Sequence, residues 1–118
     1  MKRIPTALRN RMDAKPEYHR CIVTGMAHEK IDWHHNLIFA GSQVNEEWCI
    51  LPLLHTVHLH EKRPHIKEIL NWIMLNRATD EELERYSKAR NLKAERERLN
   101  KQRGIWQPNT YIPLGQLL

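Results

Sequence analysis

Two histidines stand back to back in Ile31-Asp32-Trp33-His34-His35-Asn36, and this pair restricts the fold more than any other feature of the chain. Neighbouring residues on a strand point to opposite faces, so the two imidazoles can serve one site only at a strand end where the chain is turning. Seven of the eight histidines lie between His28 and His65, and His55, His58 and His60 follow the pair after about twenty residues. On a helix His55 and His58, three apart, share a face, whereas His58 and His60 do not. The layout is His-His, a loop of 19 residues, then His-x-x-His entering a helix. It can clamp a divalent metal between a strand end and a helix start and leave one imidazole unligated. An imidazole titrates at about 6.5, so one can act as base while its neighbour acts as ligand near neutral pH.

The flanking segments set the organisation. Residues 1 to 20 are rich in Arg and Lys, carry Pro5 and Pro16, and read as a basic arm with a short helical stretch at Thr6 to Met12. Cys21-Ile22-Val23-Thr24, closed by Gly25, and Lys30 to His35 are β-type runs expected to pair with each other. Asn36 to Glu47 reads as a loop, Trp48 to Leu54 is apolar apart from Pro52, and Leu54 to Lys62 suits a short helix that Pro64 ends. A second helix is expected from His65 to about Arg77, with Ile66, Ile69, Leu70, Ile73 and Met74 as its buried stripe. The capping box Thr79-Asp80-Glu81-Glu82 opens a third, largely solvated helix expected to run to Arg103, where Gly104 stops it. The tail regains apolar residues at Trp106, Tyr111 and Ile112, which fold back or dock on a partner. The division is thus an arm (1–20), a core with its packed helix (21–78), and a charged helix with tail (79–118).

Length allows one hydrophobic core, and the 118 residues carry a formal charge of +5, which favours a polyanionic partner. Cys21 and Cys49 are too few for a disulfide framework, and the basic start lacks the apolar run of a signal sequence or membrane span. A soluble protein of a reducing compartment is expected.

The stretch from Ile31 to Leu54, with His34-His35-Asn36 at its head, resembles the small phage and prophage HNH endonucleases. The resemblance extends over residues 21 to about 78, roughly half the chain. It implies an α+β protein with a ββα-metal core and additional C-terminal helices, cleaving DNA with the help of one divalent ion (Mg²⁺, Mn²⁺, Ni²⁺ or Zn²⁺). In that family's terms His35 matches the general base, His34 the metal ligand before it, and His58 the helix-borne ligand. Asn45 is the nearest candidate by loop position for the asparagine that orients the base, while spacing back from His58 falls on Cys49. The resemblance also implies DNA, duplex or branched, as partner and the cytoplasm of a bacterial host as setting, with monomer and homodimer both open. Where relatives carry two Cys-x-x-Cys pairs for structural zinc, this chain reads Cys21-Ile22-Val23-Thr24 and Leu54-His55-Thr56-Val57. His55 is left as a further metal ligand, a partner of a ligand, or a phosphate contact.

Arg3, Arg9, Arg11, Lys62 and Arg63 are the candidate phosphate contacts, with affinity falling as salt rises. Asp32 reads more simply as a strand residue facing water than as a carboxylate holding an imidazole. Trp33, Phe39 and Trp48 read as core, and His19, His28 and His65 as solvated or local caps. A different class of function is a binding module of phage origin in which histidine-held zinc is purely structural. Coordination separates the two, because a structural zinc site is closed by four protein ligands and a catalytic one keeps a position open. An RNase or toxin on the same fold is a further enzymatic option.

Overall fold

The computed structural model describes residues 4–36, 44–87 and 90–118. Its sheet has two antiparallel strands, β1 (Ile31–His35) and β2 (Ile50–Leu54), in a register that sets Trp33 opposite Pro52 and His35 opposite Ile50. Helix α2 (His55–Leu59) follows β2 without an intervening residue. The chain is therefore α+β, as its sequence suggests. The strand pairing differs from expectation, since residues 22–24 form a turn and β1 pairs instead with the run containing Pro52. Proline is tolerated there because of which way its backbone faces. The Pro52 carbonyl points away from β1 and accepts from Ile22 N at 2.8 Å. On a strand a residue's N–H and carbonyl point the same way, so the donor that Pro52 lacks is not one β1 needs.

All five residues of β2 are buried, because both faces of the strand are covered. On one side Leu51 and Leu53 join the main core under α3 (Pro64–Arg77), whose Ile66, Ile69, Leu70, Ile73 and Met74 are all buried, and Leu54 at the strand end joins the same core. Each such side chain contributes about 1.5–3 kcal/mol through removal from water. Pro64 occupies the first turn of α3, where a missing N–H costs no intrahelical bond. On the other side Ile50 packs with Leu8, Met12 and Tyr18. The N-terminal segment is thus docked from α1 (Thr6–Asp13) through the 3-10 turn at Pro16–His19, and does not extend as an arm. The Tyr18 hydroxyl donates toward the carbonyls of Glu47 and Ile50, Arg77 reaches both Tyr18 and the Ile50 carbonyl, and Trp33 Nε1 donates to the Tyr18 carbonyl at 2.9 Å.

The expected long helix is two helices, α4 (Asp80–Tyr86) and α5 (Leu92–Arg103). The capping box at Thr79 is present with both of its bonds. A second cap restarts the chain, however: the Asn91 side chain accepts from Ala94 N at 3.1 Å, and Leu92 N donates to Ser87 Oγ. Two short helices let Leu83, Leu92 and Leu99 all reach the main core, which a single straight rod with so few apolar positions would not do. The tail folds back on the same body. Ile112 N donates to the Val23 carbonyl at 2.8 Å, and Trp106 and, on α6 (Leu114–Leu117), Leu117 are buried. Gly25, at φ +75°, lies so close to the Tyr111 ring that a Cβ would stand 2.8 Å from it. Among the described residues no helix is long and apolar enough to cross a membrane.

Candidate metal centre

Strand alternation separates the β1 side chains as chemistry requires. Asp32 and His34 face α2, while Trp33 and His35 face the other way. Along the first side run two groups of ligand-type atoms, His34 with His58 and Glu61, and Asp32 with His55 and His58, each lying within 4.8 Å of one another. His34 Nε2 is 2.8 Å from Glu61 Oε2, and the His34 and His58 rings have centroids 5.1 Å apart. The sheet and the first turn of α2 bring these residues together. β1 ends at His35, β2 returns antiparallel to it, and α2 starts where β2 stops, so the two sequence segments meet across one strand pair.

His34 is largely buried, with 13% of its side chain exposed. Burial is the main cause of a pKa below the ordinary histidine value, and His58 adds to it against the opposing pull of Glu61. The direction of this shift favours the neutral ring, which ligates a metal without giving up a proton, and the nitrogen that faces Glu61 is the one an arriving ion would share with that carboxylate. Asn36 fixes the end of the strand. Its backbone N donates to the Cys49 carbonyl, and its side-chain amide donates to Asn71 Oδ1 at 3.1 Å on α3 while its Oδ1 lies 3.3 Å from His34 Nε2.

Asp32 does not face water. Its side chain is 11% exposed, and Oδ2 accepts from His58 Nδ1 at 2.9 Å and from His55 Nδ1 at 2.7 Å. Burial works to raise its pKa, but the bonds from His55 and His58 outweigh that and hold it below the usual aspartate value. An ionised Asp32 requires N–H at both Nδ1 atoms, so each Nε2 is left with its lone pair. This is how a carboxylate behind an imidazole sets the tautomer of a metal ligand.

On the opposite face of β1, His35 Nε2 lies 2.9 Å from Asn45 Oδ1. An amide oxygen only accepts, so Nε2 carries the proton and Nδ1 is the basic nitrogen. Of the two positions that sequence leaves open, Asn45 and Cys49, it is Asn45 that meets the His35 ring. Cys49 is fully buried, and burial, with Glu46 adding to it, pushes its thiol well above the ordinary range. His35, His55 and His58 line one open cleft of about 950 Å³ together with Asp32.

The remaining sequence candidates divide. Arg9 and Lys62 line the same cleft, and Arg63 is exposed at the start of α3. Arg11 turns instead to Glu47, 3.2 Å away, and lies outside the cleft lining. Arg3 and Phe39 lie outside the described residues. The His60 ring is held by the Thr56 carbonyl at 2.8 Å and joins neither ligand group. Sequence reasoning missed Glu61 as a candidate ligand and undervalued Asp32. Glu61 stands three residues after His58, the spacing that keeps a helical face, and that was its available signal. In place of the two Cys-x-x-Cys pairs, Cys21, Thr24, Leu54 and Val57 are all buried, so apolar packing fills the positions that structural zinc would brace.

Compared with protein-family models, with curated proteins and with solved structures, the chain matches none.

Proposed function

We propose that this protein is a metal-dependent endonuclease of the HNH kind, built on a ββα-metal core and hydrolysing phosphodiester bonds in DNA. One observation carries the reading: a three-residue ligand group, His34, His58 and Glu61, adjoins a cleft that also holds an imidazole, His35, whose proton position is fixed by Asn45. Two nitrogens and one carboxylate oxygen suit a divalent transition metal, and three protein ligands leave room for substrate, as a catalytic site needs and a closed structural zinc site lacks. Among the described residues the group counts three ligands, which favours this reading over the binding module.

When bound, the ion would stabilise charge on the phosphate and on the departing oxygen. His35 does the proton work. Its Nδ1 takes a proton from water as the oxygen attacks phosphorus and the bond to the departing oxygen breaks, while Asn45 keeps the ring in the tautomer that makes Nδ1 the base. Asp32 holds His58 with Nε2 free for the ion. Arg9 and Lys62 on the cleft wall supply phosphate contacts, and the chain's charge of +5 favours approach to a polyanion.

The test is cleavage of supercoiled plasmid by the purified protein and by His35→Ala, with Mg²⁺, Mn²⁺, Ni²⁺ or Zn²⁺ added in turn and EDTA as control. Metal-dependent nicking or linearisation is expected for the wild type and is expected to fall by at least about 100-fold in the variant, the usual contribution of a general base. A wild type that folds and binds DNA but cuts with no metal would overturn the assignment.

A further inference from the structure

The two ligand groups share one residue. His55, which sequence leaves open as a further metal ligand, a partner of a ligand or a phosphate contact, meets Asp32 and His58 and forms no group with His34 or Glu61. We infer that the chain offers two alternative seats for one divalent transition-metal ion, the second made by Asp32, His55 and His58. The inference rests on the reading of His34, His58 and Glu61 as the first seat.

The donor sets are the same, two imidazole nitrogens and a carboxylate oxygen, and both favour Zn²⁺, Ni²⁺ or Co²⁺ over the all-oxygen preference of Mg²⁺. Position ranks them. The second seat is the more open, with 48% of the His55 side chain exposed against 13% for His34. It also has a competitor, since Lys30 Nζ is 3.6 Å from Asp32 Oδ1 and a cation entering there must displace it. Lys30 is 78% exposed, so it can swing into solvent. The seat is thus available but weaker. Occupancy is exclusive because a neutral imidazole has a single lone pair, and His58 can serve two ions at once only by losing its remaining N–H proton. An ion in the second seat draws on His58 through Nδ1, turning Asp32 from the residue that orients His58 into a ligand itself.

The experiment is calorimetric titration of the full chain with Zn²⁺ and with Co²⁺, comparing wild type, Glu61→Ala, His55→Ala and the double variant, with far-UV circular dichroism to confirm folding. One ion per chain is expected for the wild type and for each single variant. Glu61→Ala retains binding through the second seat, and adding His55→Ala weakens it by at least about ten-fold, the scale of losing a ligand-shell group. Asp32→Asn in the Glu61→Ala chain, which keeps side-chain volume and leaves α2 untouched, produces the same further loss. A double variant that binds as tightly as Glu61→Ala alone, a Glu61→Ala chain that binds nothing, or two ions bound per wild-type chain would each overturn the second seat. None of these readouts depends on cleavage, so the nuclease assignment stands or falls separately on the plasmid assay.

Discussion

In the α4–α5 hairpin, carboxylates meet permanent cations: Arg96 lies 2.6 Å from Asp80, Lys93 lies 3.0 Å from Glu84, and Arg98 lies 2.8 Å from Glu95. In the β1–α2 corner, Asp32 and Glu61 meet imidazoles at equally short range. Two of the hairpin pairs stand in water, with Asp80 and Glu84 each 63% exposed, so screening and side-chain entropy leave them little net effect. In the corner the Asp32 and His34 side chains are sheltered, at 11% and 13% exposed, and the partners of both carboxylates are imidazoles, which can be neutral. Their bonds therefore set which ring nitrogen holds a proton, and that is a chemical rather than a structural consequence. Similar distances thus describe a solvated face in one region and a prepared site in the other.

If the hairpin's ion pairs are decoration, its attachment must come from apolar contact. Leu99 is fully buried on α5 in the main core. Leu99→Ala is expected to lower the unfolding free energy by about 2–5 kcal/mol, the range for a core leucine that leaves a cavity. Urea denaturation followed by circular dichroism measures it, and a loss below the range would mean that the ion pairs hold the hairpin after all. Metal stoichiometry is expected to be unchanged, because no ligand lies on α4 or α5.

In the corner the corresponding cut is at Asp32. Its orienting role is isolated in a His55→Ala chain, where the second seat is already gone. There, Asp32→Asn should weaken Zn²⁺ binding at His34, His58 and Glu61 by about 10- to 100-fold, as loss of a carboxylate behind a ligating imidazole does. Unchanged affinity would show that Asp32 acts on His58 no more than Asp80 acts on Arg96.

The two regions also differ in how far sequence revealed them. His34, His35 and His58 were legible because strand and helix spacing fix where their side chains can go, and α3 was legible from five apolar residues at helical spacing. The capping box at Thr79 likewise announces itself by residue type. Pro52 hid β2, since whether a proline breaks a strand depends on which edge its nitrogen faces, and that is decided by Ile22, thirty residues away in the chain. The break between α4 and α5 escaped because alternating Lys, Arg and Glu suit one long helix as well as two. Asp32 and Glu61 escaped for a related reason. A lone carboxylate on a strand or in a turn is ordinarily solvated, and only the tertiary approach of His55, His58 and His34 gives these two their imidazole partners. In the N-terminal segment, the count of basic residues masked Leu8, Met12 and Tyr18, whose burial docks it.

Glu47 lies between the two extremes. Its side chain is 25% exposed, and it binds Lys15 at 2.6 Å and Arg11 at 3.2 Å, tying the N-terminal segment to the start of β2. Burial works to raise its pKa, but the bonds from Lys15 and Arg11 prevail and set it below the ordinary glutamate value. A depressed folded-state pKa contributes stability that is fully present above the unfolded-state value, about 4.3, and is lost as pH falls through the folded value. Wild type should therefore be more stable than Glu47→Gln at pH 7, and the gap should close on acidification below about pH 4.3. Thermal melts of both chains at stepped pH test this, and a gap independent of pH would assign the effect to packing alone.

The smallest effect belongs to Asp80 and Arg96. Arg96 holds the Asp80 carboxyl below the usual range, first through their hydrogen bond and then through its charge, but Asp80 is mostly in water and the same field is available from mobile counter-ions. Asp80→Asn and Arg96→Gln should each shift the melting temperature only slightly at low salt, and the double variant should lose no more than the larger of the two. Added salt should erase even that difference, because solvent-exposed charges are screened while sheltered ones are not. The same salt series applied to Zn²⁺ binding should leave the contribution of Asp32 largely intact, since the Asp32 side chain is itself only 11% exposed. A salt response shared by both carboxylates would erase the distinction between a solvated face and a prepared site.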